Sequence, residues 1–453
     1  MIELSQQQLN AVNTIVDFIL SPYPKEINKD SVTCSLVGSA GVGKTTVVNK
    51  VLEKLNNRVK TMLLAPTHKA ANVLSSVSGE EAITLHSLLG LRPDLSLDHF
   101  DARWIKYKKK FPKEAMDSIL IIDEASMIND ELFDYLLELA KDNKCKILFI
   151  SDSAQLKPVR NKKKSKVYTC KNTIVLDKVF RQSEDNPLMP VLTYLREKSI
   201  PRFKSYYNEN GGIALCSKRD DFIYRAVKGF KTTNNMKVLA YTNEAVSSYN
   251  KEIFNELFPD TDSPFPVGCL LTGYNNIKRG KMDVITNSMD YIVIASKRND
   301  QVYVKITRED ESISVSGWNV TVRKIVNGKE VPFSDKTIFI GDIDNNLSLA
   351  LGQELEARRE LSIENNDWNK FYSLQNNILT TRAWVFDGRV VNTKSIDYGY
   401  AMTAHKSQSS TYDTVFVDMK DIISHTIKRE QDRQQLQYVA LSRTRKFAYV
   451  LWY

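Results

Sequence analysis

The segment GSAGVGKTT at residues 38–46 constrains the fold more than any other part of the chain. Gly38, Gly43, Lys44 and Thr45 match the pattern GxxxxGK[ST], in which backbone N–H groups close around a phosphate. An apolar run precedes the segment and an amphipathic run follows it. We therefore expect a strand, this loop, and a helix whose positive end faces the anion. The residues predicted to surround the bound nucleotide are Gly38, Ser39, Ala40, Gly41, Val42, Gly43, Lys44, Thr45 and Thr46.

Short apolar runs alternate with amphipathic stretches along most of the chain. The runs in the first part are TMLLA at residue 61, SILIID at 118, KILFISD at 146 and TIVLD at 173. The same pattern returns at residues 237, 413 and 447 with KVLAYTN, DTVFVD and FAYVLWY. Strands that alternate with helices favour parallel sheets covered by helices on both faces. The sequence therefore predicts an α/β fold with two such domains.

Residues 267–326 have a different pattern. The segments VGCLLTGY, DYIVIAS, VYVKITR, SISVSGW and VTVRKIV are rich in β-branched and aromatic residues and are separated by polar or Gly-containing stretches. This pattern predicts short strands joined by turns, as in a small β-barrel inserted into the second α/β domain. Residues 346–379 predict a polar helical segment.

Composition narrows the class of protein. A chain of 453 residues is too long for one hydrophobic core and suits two to four domains. No apolar run approaches the roughly 20 residues that span a bilayer, and the first residues lack the pattern of a signal peptide. Five scattered cysteines favour a reduced cytoplasmic protein over a disulfide framework or a zinc site. The net charge of +9 favours a polyanionic partner such as nucleic acid.

Two adjacent acids follow the apolar run at residue 119, in ILIIDEASM. We expect Asp123 to hold Mg²⁺ together with the Thr45 hydroxyl, and Glu124 to orient or deprotonate the attacking water. Three further side chains are of types that contact a γ-phosphate, namely Gln155, Arg181 and Arg443. An arginine there raises the rate of hydrolysis roughly 10³- to 10⁵-fold. The predicted catalytic set is Lys44, Thr45, Asp123, Glu124, Gln155, Arg181 and Arg443, acting on ATP with Mg²⁺.

Together these segments resemble the motifs of superfamily 1 helicases of the RecD/Dda group. LSQQQLNAV at residue 4 is similar to the adenine-reading Q motif, with Gln8 as its glutamine. APTHKAA at 65, TLHSLLG at 84, AMTAHKSQSSTYDTVFV at 401 and YVALSRTR at 438 resemble motifs Ia, Ib, V and VI. Ser151 and Ser409 replace glycines of the family in turns that couple ATP to DNA. A serine fits such a turn where the backbone φ is negative.

The resemblance implies two RecA-like P-loop domains with two insertions. The first RecA-like domain is expected at residues 1–92 and 116–185, with a pin hairpin inserted at 93–115. The second is expected at 186–266 and 393–453, and would carry Arg443. An SH3-like β-barrel with a helical extension is expected at 267–392. Within that insertion, we expect Trp368, Phe371 and Trp384 to brace the pin.

The resemblance also implies a path for single-stranded DNA across both domains. The expected contacts on the first domain are Pro66, Thr67, His68, Lys69, Thr84 and His86. Those on the second are Thr242, Asn243, Thr403, His405 and Lys406. Their hydroxyl, amide, imidazole and ammonium groups suit contacts with phosphates. His99, Phe100 and Trp104 are candidates for the tip of the pin, and we expect Phe100 to contact DNA.

These expectations combine into an ATP-dependent DNA helicase that moves 5′ to 3′ on single-stranded DNA and unwinds duplex or fork DNA. The resemblance implies a role in phage DNA replication or recombination. It also implies a protein that acts as a monomer in the host cytoplasm and interacts with a single-strand-binding protein or other replication proteins. Three alternatives stay open: an RNA-directed superfamily 1 helicase, a translocase that mainly displaces bound proteins, and a nucleotide-gated binding module. A P-loop nucleotide kinase would not need motifs Ia, V and VI.

Overall fold

The computed structural model describes residues 4–39, 41–90, 92–93, 105–106, 113–152, 154–155, 165–177, 186–280, 282–307, 309–408, 410–426 and 428–452. Its helices are α1 (Gln6–Leu20), α2 (Lys29–Val32), α3 (Lys44–Leu55), α4 (His68–Ser78), α5 (Leu85–Leu88), α6 (Asp130–Asp142), α7 (Leu188–Leu195), α8 (Arg219–Phe230), α9 (Asn243–Leu257), α10 (Asn345–Asn365), α11 (Asn369–Asn377), α12 (Met419–Thr426) and α13 (Glu430–Ser442). Among the described residues, no helix has the length and apolar character needed to cross a membrane.

The strands follow the same chain order. They are β1 (Thr33–Gly38), β2 (Lys60–Ala65), β3 (Ala82–Thr84), β4 (Arg92–Pro93), β5 (Ile105–Lys106), β6 (Ser118–Ile122), β7 (Lys146–Ser151), β8 (Thr173–Leu176), β9 (Tyr206–Asn208), β10 (Gly211–Cys216), β11 (Met236–Ala240), β12 (Leu270–Gly273), β13 (Ile277–Arg279), β14 (Met282–Ile285), β15 (Asp290–Lys305), β16 (Ser312–Val326), β17 (Lys329–Glu330), β18 (Lys336–Gly341), β19 (Trp384–Phe386), β20 (Arg389–Asn392), β21 (Ile396–Tyr398), β22 (Ala401–Thr403), β23 (Tyr412–Asp418) and β24 (Thr444–Leu451).

The chain divides into two compact units. Residues 1–92, 106–218 and 407–453 form the first unit, and residues 93–105 and 219–406 form the second. This grouping places Arg443 in the same unit as Lys44, whereas the family resemblance implies different domains for the two residues. The predicted domain boundaries stay a prediction.

The first unit contains a parallel sheet with the strand order β3-β2-β6-β7-β1-β8. Every residue of β1, β6 and β7 is buried, as expected for strands that helices cover on both faces. The apolar stripe of α3 (Val47, Val48, Val51 and Leu55) packs into the core beneath β1 with residues of α1. Because parallel strands end at the same edge of a sheet, the segments after β1, β6 and β7 lie side by side.

A further set of strands continues the α/β pattern. In the first unit, β24 pairs in parallel with β10 and β23, and β9 adds an antiparallel edge. In the second unit, β11 and β22 are parallel neighbours. The predicted α/β fold with RecA-like parallel sheets is confirmed.

The second unit also contains an antiparallel sheet, in the order β17-β16-β15-β12-β21 with β18 on β16. Its centre differs from the prediction, because four predicted short strands are two long ones of 16 and 15 residues. The polar KRND stretch at 297–300 is not a turn but part of β15, where the register with β16 shifts between Asn299 and Val302. Continued pairing with β16 satisfies its backbone groups and outweighs its turn-like composition. Closure into an SH3-like barrel stays a prediction.

The predicted polar helix at 346–379 is two helices. The chain breaks between α10 and α11, where Asn366 adopts the left-handed φ of 52°. Both helices contribute to a hydrophobic core that includes Val315, Phe371, Leu374 and Trp384. Trp384 is fully buried and Phe371 is 2% exposed, with Trp368 packed alongside. Phe371 and Trp384 therefore fill this core, and the predicted bracing of a pin by these aromatic residues stays a prediction, because the pin lies outside the described residues.

Candidate active site

The loop between β1 and α3 has the backbone of an anion cradle. Gly41 and Gly43 have φ angles of 88° and 82°, in the region that favours glycine. A Cβ on Gly43 would lie 2.4 Å from Nε2 of Gln8, so a side chain does not fit there without displacement. Gly43 is also the N-cap of α3, and it offers no side chain to bond the first N–H groups of the helix. Those N–H groups are therefore available to a phosphate.

Two side chains fix this loop from either side. The ammonium of Lys44 donates hydrogen bonds to the carbonyl oxygens of Gly38 at 2.7 Å and Ser39 at 2.9 Å. The buried amide of Gln8 donates through Nε2 to the carbonyl of Val42 at 3.0 Å and accepts through Oε1 from the backbone N–H of Ser5 at 3.0 Å. Gln8 thus joins the N-cap of α1 to the phosphate loop. Ala40 lies outside the described residues.

The two predicted acids follow β6, directly beside β7. The backbone N–H of Glu124 donates to Oδ1 of Asp123 at 2.8 Å. Glu124 has a φ of 51°, a left-handed conformation that costs energy for a residue other than glycine and that is common at functional sites. Removal from water, followed by the charge of Asp123, raises the pKa of Glu124, while Arg443 and Lys44 act in the opposite direction. The structure therefore brings Lys44, Asp123, Glu124 and Arg443 into one electrostatic environment.

The donor set of this site fits Mg²⁺. Thr45 in the first turn of α3 supplies a hydroxyl, and Asp123 at the end of β6 supplies a carboxylate. Both are hard oxygen ligands of the kind that Mg²⁺ prefers when it also binds nucleotide phosphates.

Gln155 lies beside the segment that follows Glu124. Its side chain is 7% exposed, and Oε1 accepts a hydrogen bond from the hydroxyl of Ser126 at 3.1 Å. Ser151 is the last residue of β7 and is not among the described residues with positive φ, so its backbone tolerates serine where the helicases that the chain resembles have glycine. Its hydroxyl is buried without a hydrogen bond to the described residues. Ser409 lies outside the described residues.

A buried network around Asp152 was not predicted from the sequence. Oδ2 of Asp152 accepts a hydrogen bond from the hydroxyl of Tyr438 at 2.8 Å, and its carbonyl accepts one from Tyr168 at 2.8 Å. Asp152 and Tyr438 are each 1% exposed. Tyr438 is the first residue of the YVALSRTR segment, but nothing in that segment indicates a partner 286 residues away. The contact ties the end of β7 to α13.

Arg443 is the C-cap of α13 and is 4% exposed. Its guanidinium donates to the carbonyls of Val439 at 3.0 Å and Ser410 at 3.2 Å, and to the hydroxyl of Ser442 at 2.9 Å. These bonds fix a positive charge close enough to Glu124 to oppose the rise in its pKa. Arg181 lies outside the described residues.

The candidate DNA contacts of the first unit lie at the starts of α4 and α5. Thr67 and Thr84 are the N-caps of these helices, and their hydroxyls accept from the N–H groups of Ala70 and Ser87 at 3.1 Å. Burial, followed by the charge of His68, lowers the pKa of His86. The remaining candidates are partly exposed Pro66 and Lys69, whose ammonium lies 3.4 Å from the hydroxyl of Tyr412.

The candidates of the second unit cluster where β11 and β22 end side by side, with Ala240 opposite Thr403. Thr242 caps α9, and Asn243 is exposed. His405 is exposed and its ring lies 5.7 Å from that of Tyr241. Phe100, the candidate of the predicted pin, lies outside the described residues, although β4 and β5 at the two ends of that segment pair with each other.

Two of the candidates are less accessible than predicted. Thr84 is 3% exposed and its hydroxyl is used in the cap of α5, which favours a structural role. The ammonium nitrogen of Lys406 is buried, 3.4 Å from the centre of the Tyr274 ring. N-cap threonines and DNA-contacting threonines have the same sequence signature, so the sequence does not distinguish them.

Two family models match this chain. Residues 24–218 match an AAA domain, and residues 398–451 match a UvrD-like helicase C-terminal domain. The ATP-dependent DNA helicase dda of Enterobacteria phage T4 is 25% identical over 98% of each chain. The ATP-dependent RecD2 DNA helicase of Deinococcus radiodurans is 31% identical, over 34% of this chain and 20% of that protein. The AAA match includes the phosphate loop, and the UvrD-like match includes the YVALSRTR segment.

Solved structures agree on the fold. The crystal structure of the Pif1 helicase from Candida albicans aligns with 100% of this chain and 95% of its own chain, at a TM-score of 0.52 and 18% identity. A structure of two coordinating Pif1 helicases at forked double-stranded DNA covers 99% of this chain and 92% of its own, at a TM-score of 0.51. At this level of identity the likeness concerns the arrangement of helices and strands.

Proposed function

Since the chain is a superfamily 1 helicase of the RecD/Dda group and an ATP-hydrolysing enzyme, we propose that it moves 5′ to 3′ along single-stranded DNA and separates the strands of a duplex or fork. We place this activity in phage DNA replication or recombination. The observation that carries the proposal is that the phosphate loop after β1 and the acids after β6 lie at one edge of the parallel sheet, with Lys44 and Arg443 close enough to act on the pKa of Glu124. The likeness to the phage T4 helicase along the whole chain supports the same conclusion.

In the proposed mechanism, the N–H groups at the start of α3 and the ammonium of Lys44 hold the β- and γ-phosphates. Glu124 orients the attacking water and accepts its proton, a task suited to a carboxyl with a raised pKa. Arg443 and Gln155 face the γ-phosphate and stabilise the charge that develops there. Mg²⁺ held by Thr45 and Asp123 would neutralise charge on the β- and γ-phosphates.

Movement along DNA requires two DNA-binding surfaces whose affinities alternate during the ATP cycle. The first, which we call the first grip, is at the starts of α4 and α5, which carry Thr67, His68 and His86. The second grip is the cluster of Asn243, Thr403 and His405 at the ends of β11 and β22. The contact of Lys69 with Tyr412 links the first grip to the 410–412 segment, whose carbonyl at Ser410 accepts from Arg443.

A strand-separation assay tests the proposal. Forks with only a 5′ tail or only a 3′ tail, made of DNA or of RNA, are incubated with ATP and Mg²⁺, and the released strand is measured. We expect release from the 5′-tailed DNA fork only, and no release with Lys44→Ala. Release from 3′-tailed forks would refute the direction, and preferential release from RNA would favour an RNA-directed helicase. DNA-stimulated hydrolysis without release would favour a translocase that displaces bound proteins.

A further inference from the structure

The ring of Tyr274 lies between two ammonium groups. Tyr274 directly follows β12, and the Nζ atoms of Lys406 and Lys394 lie 3.4 and 4.1 Å from its ring centre. Burial raises the pKa of the Tyr274 hydroxyl above its ordinary value of 10, so the ring is neutral at physiological pH. Both contacts are therefore cation–π interactions rather than ion pairs with a phenolate.

Tyr274 is itself fixed to the chain that leads into the second grip. Its backbone N–H donates to the carbonyl of Ser395 at 2.8 Å. The amide of the next residue, Asn275, donates to the hydroxyl of Thr393 at 3.1 Å and to the carbonyl of Lys394 at 3.2 Å. Lys394 also pairs with Asp397 at 2.8 Å. The ring is thus a rigid surface attached to the antiparallel sheet of the second unit.

Lys406 reaches that surface from the segment that carries the exposed DNA candidates. Its backbone N–H donates to the hydroxyl of Thr403 at 3.3 Å, and its neighbour His405 is exposed. Its ammonium nitrogen is buried against the ring and does not face solvent. A charge in this position cannot pair with a phosphate on the surface unless the ring contact breaks.

We propose that Tyr274 is a positioning residue for DNA binding, which clasps Lys406 and so holds residues 403–406 in the conformation that presents Thr403 and His405 to the strand. Lys406 acts through this ring and not as a phosphate ligand. The inference rests on the proposed function, because it requires that the second unit bind single-stranded DNA.

The salt dependence of DNA binding separates the two roles of Lys406. Each phosphate that a lysine neutralises contributes about 0.7 to the slope of log K against log[salt] for single strands. A phosphate contact by Lys406 would therefore add about 2.6-fold to the loss of affinity between 50 and 200 mM salt. We measure the binding of an oligothymidylate by fluorescence anisotropy across this range for the wild type and Lys406→Met. We expect affinity to fall by roughly 5- to 30-fold, the range of a cation–π contact, with the slope unchanged.

Variants of the ring provide the second arm. Tyr274→Phe retains the ring and should bind within about twofold of the wild type, whereas Tyr274→Leu should lose at least as much affinity as Lys406→Met, because it also removes the contact with Lys394. The double variant Tyr274→Leu and Lys406→Met should lose no more than Tyr274→Leu, because that single variant already removes the ring that Lys406 contacts. Tyr303→Leu, a change of an exposed tyrosine on β15, is the matched control and should bind as the wild type does.

Each result decides the question. A slope reduced by about 0.7 in Lys406→Met, or wild-type affinity in Tyr274→Leu, overturns the positioning role. If Tyr274→Leu fails to fold, the Lys406→Met slope and the Tyr274→Phe affinity still decide. Wild-type protein that does not bind the oligonucleotide refutes the proposed function first, and the inference with it.

Discussion

Replacing Tyr438 with phenylalanine tests whether the buried contact with Asp152 holds α13 to the ATPase sheet. The change removes one hydroxyl that donates to a carboxylate oxygen at 2.8 Å, between side chains that are each 1% exposed. Hydrogen bonds to charged groups contribute about 1.5–3 kcal/mol, and the phenyl ring fills the same space. We therefore expect the local free energy of opening to fall by about 2 kcal/mol.

Native-state hydrogen exchange followed by mass spectrometry measures this loss where it occurs. A change of about 2 kcal/mol corresponds to roughly 30-fold faster exchange in peptides from β7 and α13. Tyr168→Phe is the internal comparison, because it removes a hydroxyl that donates to the neutral carbonyl of the same Asp152 at 2.8 Å. That bond contributes about 1 kcal/mol, so we expect only about fivefold faster exchange. An increase in Tyr438→Phe that is smaller than threefold, or smaller than that in Tyr168→Phe, would refute the reasoning.

Three further predictions concern the ATPase site. The pKa of Glu124 is raised, and the residue acts as a base only in its carboxylate form. We therefore expect kcat to be full above that pKa and to be lost as pH falls through it. A pH profile at saturating ATP in which kcat falls only at or below pH 4.5, the ordinary pKa of a glutamate, would contradict this. Arg443→Ala should lower kcat far more than the affinity for ATP, with Arg443→Lys retaining part of the rate, and an unchanged kcat would remove the residue from the γ-phosphate. Gly43→Ala should weaken ATP binding in a nucleotide-binding assay, because its Cβ would displace the Gln8 amide that supports the loop. Gly79→Ala has a similar φ with open space around it and should cost only about 1 kcal/mol of stability, with ATP binding unchanged.

The parts of the candidate ATPase site are local in the sequence. The glycines with positive φ, the buried strands and the apolar face of α3 are each specified within a few residues, so the loop after β1 and the acids after β6 could be placed in advance. The order of parallel strands then brings these segments to one edge. Lys44 is close enough to Glu124 to act on its pKa, and the catalytic roles of both residues stay predictions.

What the sequence does not predict depends on distant contacts. The bonds of Tyr438 with Asp152 and of Lys406 with Tyr274 join residues 286 and 132 positions apart, and no periodicity indicates such pairs. The KRND stretch shows the same limit, since a polar composition typical of turns is outweighed by a neighbouring strand.

The shared amide of Gln8 makes the opening helix part of nucleotide recognition. One side chain completes the capping box of α1 and also supports the Val42 carbonyl, so neither the helix start nor the loop can loosen without weakening the other. Any ligand that steadies the loop must, by thermodynamic reciprocity, steady α1 as well. The stability of α1 should therefore change when a ligand binds the phosphate loop, although the loop lies 30 or more positions away from Gln8 in the sequence.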